Sequence, residues 1–206
     1  KIILIFTFVI VNLSQLSLAK IASVIGNPIT NELYFEVNKN TKNYPASLTK
    51  IMTLFIVFDE LNKNNLNLDD KIVFSKKANQ QQPSKLNIHQ GKSITVDQAI
   101  DALIIKSAND VAIAVAEKIS GSEKAFVKKM NLLAKEIGLK DTYFANPHGL
   151  PNKSNLSSAN DIFILSSELI KRYPEYLNRF KKKKFTINGK TYKTHNTLLN
   201  KYDYYI

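Results

Sequence analysis

Pro45-Ala46-Ser47-Leu48-Thr49-Lys50-Ile51-Met52-Thr53 leads a stretch, 47–61, in which Leu48, Ile51, Met52, Leu54, Phe55, Ile56, Val57, Phe58 and Leu61 are apolar. A helix with apolar residues nearly all round belongs in the middle of a domain. Within it Ser47 and Lys50 are three residues apart, so both side chains share one helix face. A Lys buried there can lose its proton near neutral pH and act as a base for the Ser hydroxyl. The start of the helix also favours negative charge on an oxygen and leaves free N–H groups for an oxyanion. The plainer alternative is that Ser47 caps the helix and Lys50 snorkels outward. Spacing alone does not decide between them, since Ser17 and Lys20 repeat it across the end of an N-terminal apolar segment.

Outward from this helix the pattern alternates strands and helices. Residues 21–25 and 32–37 read as a β-hairpin around Gly26-Asn27-Pro28 and Thr30-Asn31. Residues 62–70 are polar and loop-like. Thr95 is placed to cap a second helix, which Ser107-Ala108-Asn109 interrupts before it resumes from Asp110 to Ile119. Ser122 caps a further helix to Ile137, with Gly138 at its C-terminal turn. Asn146 to Pro151 is turn-rich, and 158–173 is helical up to Pro174. Asn188-Gly189 between 184–187 and 190–193 is a strong hairpin signal. Strands, a block of helices and strands again, without an internal repeat, predict one α+β domain over 20–206. Ser107-x-Asn109 falls in a break between helices, where polar groups can face a cleft. Ser158-x-Asn160 opens a helix, where Ser and Asn serve as caps.

Composition narrows the function classes. The chain has 206 residues, 44% hydrophobic and 22% charged, enough for a sizeable core. With no Cys, a zinc ribbon, a disulfide scaffold and a cysteine nucleophile are excluded. His89, His148 and His195 show no close metal-ligand spacing. The net charge of +12 comes from 27 Lys and only 2 Arg, beside 22 Asn. Part of that basicity reflects the Lys/Asn/Ile bias of AT-rich coding. The scarcity of Arg argues against nucleic acid as a partner. Residues 171–206 hold 10 basic and 2 acidic residues, a local excess of +8. At the other end, Lys1, an apolar run from Ile2 to Val11 and Ser17-Leu18-Ala19 describe a secretory signal cleaved after Ala19, residues 1–19. Its apolar core is shorter than the roughly 20 residues that span a bilayer. Export to the periplasm or cell envelope is the expectation.

Several further stretches belong with 45–53: Gly91 to Val96, Ser107 to Ala112, Gly121 to Phe126, Met130-Asn131, Asn146 to Leu150 and His195 to Leu199. As an ordered set they resemble the serine-type D-alanyl-D-alanine carboxypeptidases, the low-molecular-weight penicillin-binding proteins. Ser-x-x-Lys and Ser-x-Asn are two of the three motifs shared by serine β-lactamases and penicillin-binding proteins. The resemblance implies a β-lactamase/DD-peptidase-like fold, a helical block packed on an antiparallel sheet. It implies Ser47 as nucleophile and Lys50 as its base. Ser107 would pass a proton to the departing D-alanine, and Asn109 would bind the substrate backbone and help hold Lys50. It implies no metal and no cofactor. The partners would be peptidoglycan stem peptides and β-lactam antibiotics, with peripheral membrane contact. The third motif, Lys-Thr-Gly, is absent from these residues, since His195 follows Lys193-Thr194. A chain ending at 206 is therefore expected to be a truncated or split reading frame lacking the C-terminal strands.

Two other readings compete with a carboxypeptidase acting through an acyl-enzyme on Ser47. A class A-type β-lactamase would need a deacylating Glu after Ser-x-Asn, whereas Glu117, Glu123 and Glu136 fall at spacings expected of exposed helix faces. A non-catalytic penicillin- or cell-wall-binding fragment would suit the missing third motif.

Overall fold

The computed structural model describes residues 21–201. The expected signal segment and its cleavage point after Ala19 lie outside them.

The expected N-terminal hairpin forms. Strand β1 (Ser23–Gly26) runs antiparallel to β2 (Leu33–Val37), with an irregularity between Ile25 and Gly26. The Asn27 side chain closes its turn by accepting from Ile29 N and Thr30 N. Gly26 has no room for a side chain: a Cβ there would lie 2.5 Å from the Glu32 carbonyl oxygen and 2.9 Å from the Phe163 ring. That closeness lets α6 (Ala159–Arg172) lie directly on β1. Ser158 caps α6 by accepting from Asp161 N, in line with its reading as a structural cap.

The all-round apolar stretch becomes α1 (Thr49–Asn62), preceded by a 3₁₀ turn at Ala46–Leu48. Met52, Phe55, Ile56 and Phe58 are fully buried. Each such side chain contributes about 1.5–3 kcal/mol relative to exposure. Around α1 stand α4 (Asn109–Ser120), α5 (Glu123–Glu136) and α6. Polar residues on α1 are buried only where they find partners. Thr49 Oγ1 accepts from Asn155 Nδ2 at 3.3 Å, and Glu60 pairs with Lys129.

Thr95 caps α3 (Val96–Asp101) through a full capping box, accepting from Gln98 N while Gln98 Oε1 accepts from Thr95 N. The helix then widens into a π turn at Ala102–Lys106 and stops at Ser107, whose backbone is left-handed (φ 55°, ψ 42°). α4 restarts at Asn109 and ends at Gly121, and Ser122 caps α5, as the sequence indicated.

Several elements escaped the sequence reading. Strands β3 (Lys71–Val73) and β4 (Ser93–Thr95) pair antiparallel but are only three residues each, too short for a period to show. The four-residue α2 (Lys76–Asn79) is capped by Ser75. After α6 the chain continues as a 3₁₀ helix at Pro174–Lys181, with Pro174 in the first turn, where its missing N–H costs nothing. Phe58 stacks on Tyr176 of this segment at 4.4 Å between ring centroids. β5 (Lys184–Ile187) and β6 (Lys190–Lys193) form the Asn-Gly hairpin, and α7 (Leu198–Lys201) follows. The fold is α+β as expected, with its antiparallel strands, among the described residues, in three separate two-stranded ladders.

Candidate active site

Lys50 is the centre of the site. It is 3% exposed, so it does not snorkel outward. Its ammonium donates to Asn109 Oδ1 at 2.8 Å and to the His148 carbonyl at 2.6 Å. Among the described residues no carboxylate pairs with it. Burial therefore lowers its pKa from 10.5 to about 8. One turn earlier Ser47 sits exposed in the 3₁₀ turn, and no side-chain cap holds either helical start there. The capping alternative thus fails for Ser47, whose hydroxyl stands on the surface one turn from a buried amine of lowered basicity.

The break after the π turn brings Asn109 to Lys50, with Ser107 two residues before it. Asn109 bridges, accepting from Lys50 and donating through Nδ2 to the Gln82 carbonyl at 3.0 Å. The turn is held from outside by the 82–87 loop. Ser84 Oγ donates to the Lys106 carbonyl, and Asn109 N donates to the Ser84 carbonyl. Buried Asp110 accepts from Leu86 N and Asn87 N. Burial pushes the Asp110 carboxyl up, and these N–H groups oppose the shift. The Ser107 hydroxyl is buried with no hydrogen-bond partner among the described residues. A buried hydroxyl without a partner is costly for a fold and common where a group must stay available for chemistry.

The third wall comes from Asn146-Pro147-His148-Gly149-Leu150. Asn146 Oδ1 accepts from Gly149 N at 2.7 Å and His148 N at 3.3 Å, while Asn146 Nδ2 donates to the Leu150 carbonyl. His148 Nδ1 accepts from Leu150 N at 3.0 Å. The imidazole is buried beside the Lys50 and Lys77 charges, which lowers its pKa to about 4 and keeps it neutral. So fixed, the loop aims two carbonyls at α1, Pro147 O accepting from Thr53 Oγ1 at 2.7 Å and His148 O from Lys50. Gly149 (φ +85°) lies under the turn that carries Ser47: a Cβ there would be 1.8 Å from the Ala46 carbonyl oxygen.

Of the four residues named from the sequence, Lys50 and Asn109 are joined by a hydrogen bond, with Ser47 one turn before Lys50 and Ser107 two residues before Asn109. Sequence reading gave no role to the Gln82 and His148 carbonyls, because backbone acceptors carry no side-chain signature, or to Ser84, a lone serine in a loop without a motif. The Asn-Pro-His-Gly turn was the one visible sign. The three glutamates weighed for deacylation have other partners. Glu117 accepts from Ser75, Glu123 pairs with Lys77 and Glu136 with Arg172. Only Glu136 is exposed; the expectation of exposed faces fails for half-buried Glu117 and Glu123, which those partners draw inward. Among the described residues no group of three or more His, Asp or Glu could hold a metal ion, and no helix is long and apolar enough to cross a membrane.

The fold brings the Ser-x-x-Lys stretch of α1 and the Ser-x-Asn stretch at the start of α4 together through the Lys50–Asn109 hydrogen bond. Residues 12–206 match the D-alanyl-D-alanine carboxypeptidase family, and the chain belongs to it. The carboxypeptidase DacF of Bacillus subtilis (strain 168) is 39% identical over 165 residues, covering 76% of this chain and 42% of that protein. DacD of Escherichia coli (strain K12) is 32% identical, covering 82% of this chain and 45% of its own length. The chain thus spans less than half of either relative. Among solved structures, penicillin-binding protein 5 of Haemophilus influenzae superposes with a TM-score of 0.85 at 31% identity, over 88% of this chain and 54% of that one. Penicillin-binding protein D2 of Listeria monocytogenes, in its ampicillin-bound form, gives 0.78 at 31% identity, over 89% and 75%.

Proposed function

We propose that this chain carries the acylating half of a serine DD-carboxypeptidase that removes the terminal D-alanine of peptidoglycan stem peptides. The observation that carries the proposal is the buried Lys50 amine, held by Asn109 and the His148 carbonyl one turn from an exposed Ser47. With a pKa of about 8, roughly a tenth of Lys50 is neutral at pH 7, against less than a thousandth for an ordinary lysine. Neutral Nζ takes the Ser47 proton as Oγ attacks the carbonyl carbon of the scissile D-alanyl peptide bond. The tetrahedral intermediate collapses, the C–N bond breaks, and the departing amine receives a proton passed through the Ser107 hydroxyl. Water then attacks the ester, releasing the shortened peptide and returning the proton to Ser47. Asn109 orients both Lys50 and the substrate backbone. β-Lactams would acylate the same oxygen. No step calls on a metal or cofactor. Residues 1–19 serve as a cleaved export signal, with the site in the periplasm or cell envelope against peripheral membrane.

The test is covalent labelling with a fluorescent penicillin. Labelling should map to Ser47, be abolished in Ser47→Ala and survive in Ser17→Ala. Its second-order rate should climb with pH and level off near pH 8. Lys50→Arg, which stays charged, should lose labelling while keeping the folded circular-dichroism spectrum. Labelling that persists in Ser47→Ala would refute the assignment.

A further inference from the structure

The β5–β6 hairpin has two unlike faces. Phe185, Ile187 and Tyr192 are buried, and the Phe185 and Tyr192 rings stack at 5.3 Å. This inner face sits on the π turn that ends at Ser107, and the Tyr192 hydroxyl donates to the Leu86 carbonyl at 3.3 Å. The outer face is basic. Lys184 and Lys193 are exposed and stand directly opposite each other, as do Thr186 and Thr191. Like charges facing across a ladder destabilise it. Lys190 stands opposite Ile187, on the other face by register, but at the turn end of the ladder it is itself exposed. A second pair of lysines flanks the inner face towards the candidate site: the Tyr192 ring has the Lys190 ammonium 5.2 Å from its centroid and the Lys106 ammonium at 5.9 Å. Lys106 is the residue before Ser107.

Among the described residues, the nearby acids have other partners. Asp97 and Asp101, the acids on α3, are engaged by Arg179 and Lys182. Among the described residues no carboxylate pairs with Lys106, Lys184, Lys190 or Lys193. The exposed residues of the hairpin are Lys, Thr, Asn188 and Gly189, with no apolar or aromatic side chain on its outer face to enter a bilayer. Nor does the hairpin carry an Arg fork for bidentate phosphate contacts. Point charges spread over a ribbon suit a polymer bearing many separate carboxylates. A peptidoglycan strand is such a polymer: with one stem peptide at Ser47, neighbouring stems would present their carboxylates to these lysines.

We infer that the exposed lysines of the β5–β6 hairpin, with Lys106 beside them, form a docking surface for the carboxylate-bearing peptidoglycan strand and draw polymeric substrate to the site. The inference rests on the function proposed above and extends it from the reacting peptide to the polymer. The test is co-sedimentation of the full chain with purified peptidoglycan stripped of phosphate-containing polymers, over a range of NaCl. Binding should be retained at low salt and fall steeply towards 200 mM, where exposed charges are screened beyond about 8 Å. The triple variant Lys184→Gln, Lys190→Gln, Lys193→Gln should bind about tenfold or more weakly. A control triple, Lys118→Gln, Lys128→Gln, Lys135→Gln, makes the same charge change on α4 and α5 and should bind as wild type. Equal losses in both triples would reduce the effect to net charge and overturn the inference. So would absence of binding at low salt, or stronger binding to phosphatidylglycerol vesicles than to peptidoglycan. Penicillin labelling of Ser47, measured on the same samples, reports separately on the reading beneath it.

Discussion

Burial lowers the pKa of two ionisable side chains in the site, and both leave a signature in stability. Lys50 has a folded pKa of about 8 against 10.5 when unfolded. Between those values the unfolded chain binds more protons, so stability rises with pH across that window, by up to about 3 kcal/mol. Thermal unfolding of wild type and Lys50→Met from pH 8 to 10.5 should show the slope only in wild type. His148 behaves as a second depressed base, about 4 when folded against 6.5. Its contribution is complete above pH 6.5 and is lost as pH falls towards 4, again by up to about 3 kcal/mol. Protonation would put a hydrogen on Nδ1, which now accepts from Leu150 N. His148→Gln should flatten the acid side of the stability profile between pH 6.5 and 4; an unchanged profile would place the acid sensitivity elsewhere. The sequence exposed Lys50 because a polar residue in an apolar helix must be satisfied or shifted. It hid His148, because neither a backbone carbonyl nor the burial of a lone histidine has a local pattern.

At the scale of elements, the Asn146–Leu150 loop and the turn before α1 lock together through Gly149. Gly149→Ala would bring a Cβ against the Ala46 carbonyl at a positive φ, so two penalties combine. We expect a loss of at least about 2 kcal/mol and a matching loss of penicillin labelling. Gly138→Ala is the comparison, with a similar φ of +79° but open space around the site, and should cost about 1 kcal/mol with labelling retained. Urea unfolding of the two variants checks the contrast. Elements with strong local grammar were legible: the Asn-Gly hairpin, the Thr95 and Ser122 caps, and the break at Ser107. Elements that exist through distant partners were not. β3 and β4 have three residues each and owe their pairing to each other. The 174–181 helix depends on aromatic contact with α1, which Pro174 alone did not advertise.

Across the whole molecule, α1 joins everything. Phe58 is fully buried, stacked on Tyr176 and edge-on to Tyr173 at 6.1 Å. Phe58→Ala should cost about 3–5 kcal/mol and loosen the 173–181 segment as well as α1. Hydrogen exchange should show both regions losing protection together; loss in α1 alone would mean the aromatic link is dispensable. That α1 is central was readable from its all-round apolar sequence, while the separation of the strands into three ladders was not, since pairing partners are a property of the assembled chain. The same helix has its polar partners far downstream: Asn109 at 59 residues from Lys50, Pro147 at 94 from Thr53, and Tyr173 at 114 from Asp59. On a ribosome adding about 5–20 residues per second, roughly 5–20 s pass between the appearance of Asp59 and that of Tyr173. In the early part of that interval, before α4 and α5 emerge, this apolar helix lacks its main partners, which makes it the natural seat for a holding chaperone on the nascent chain.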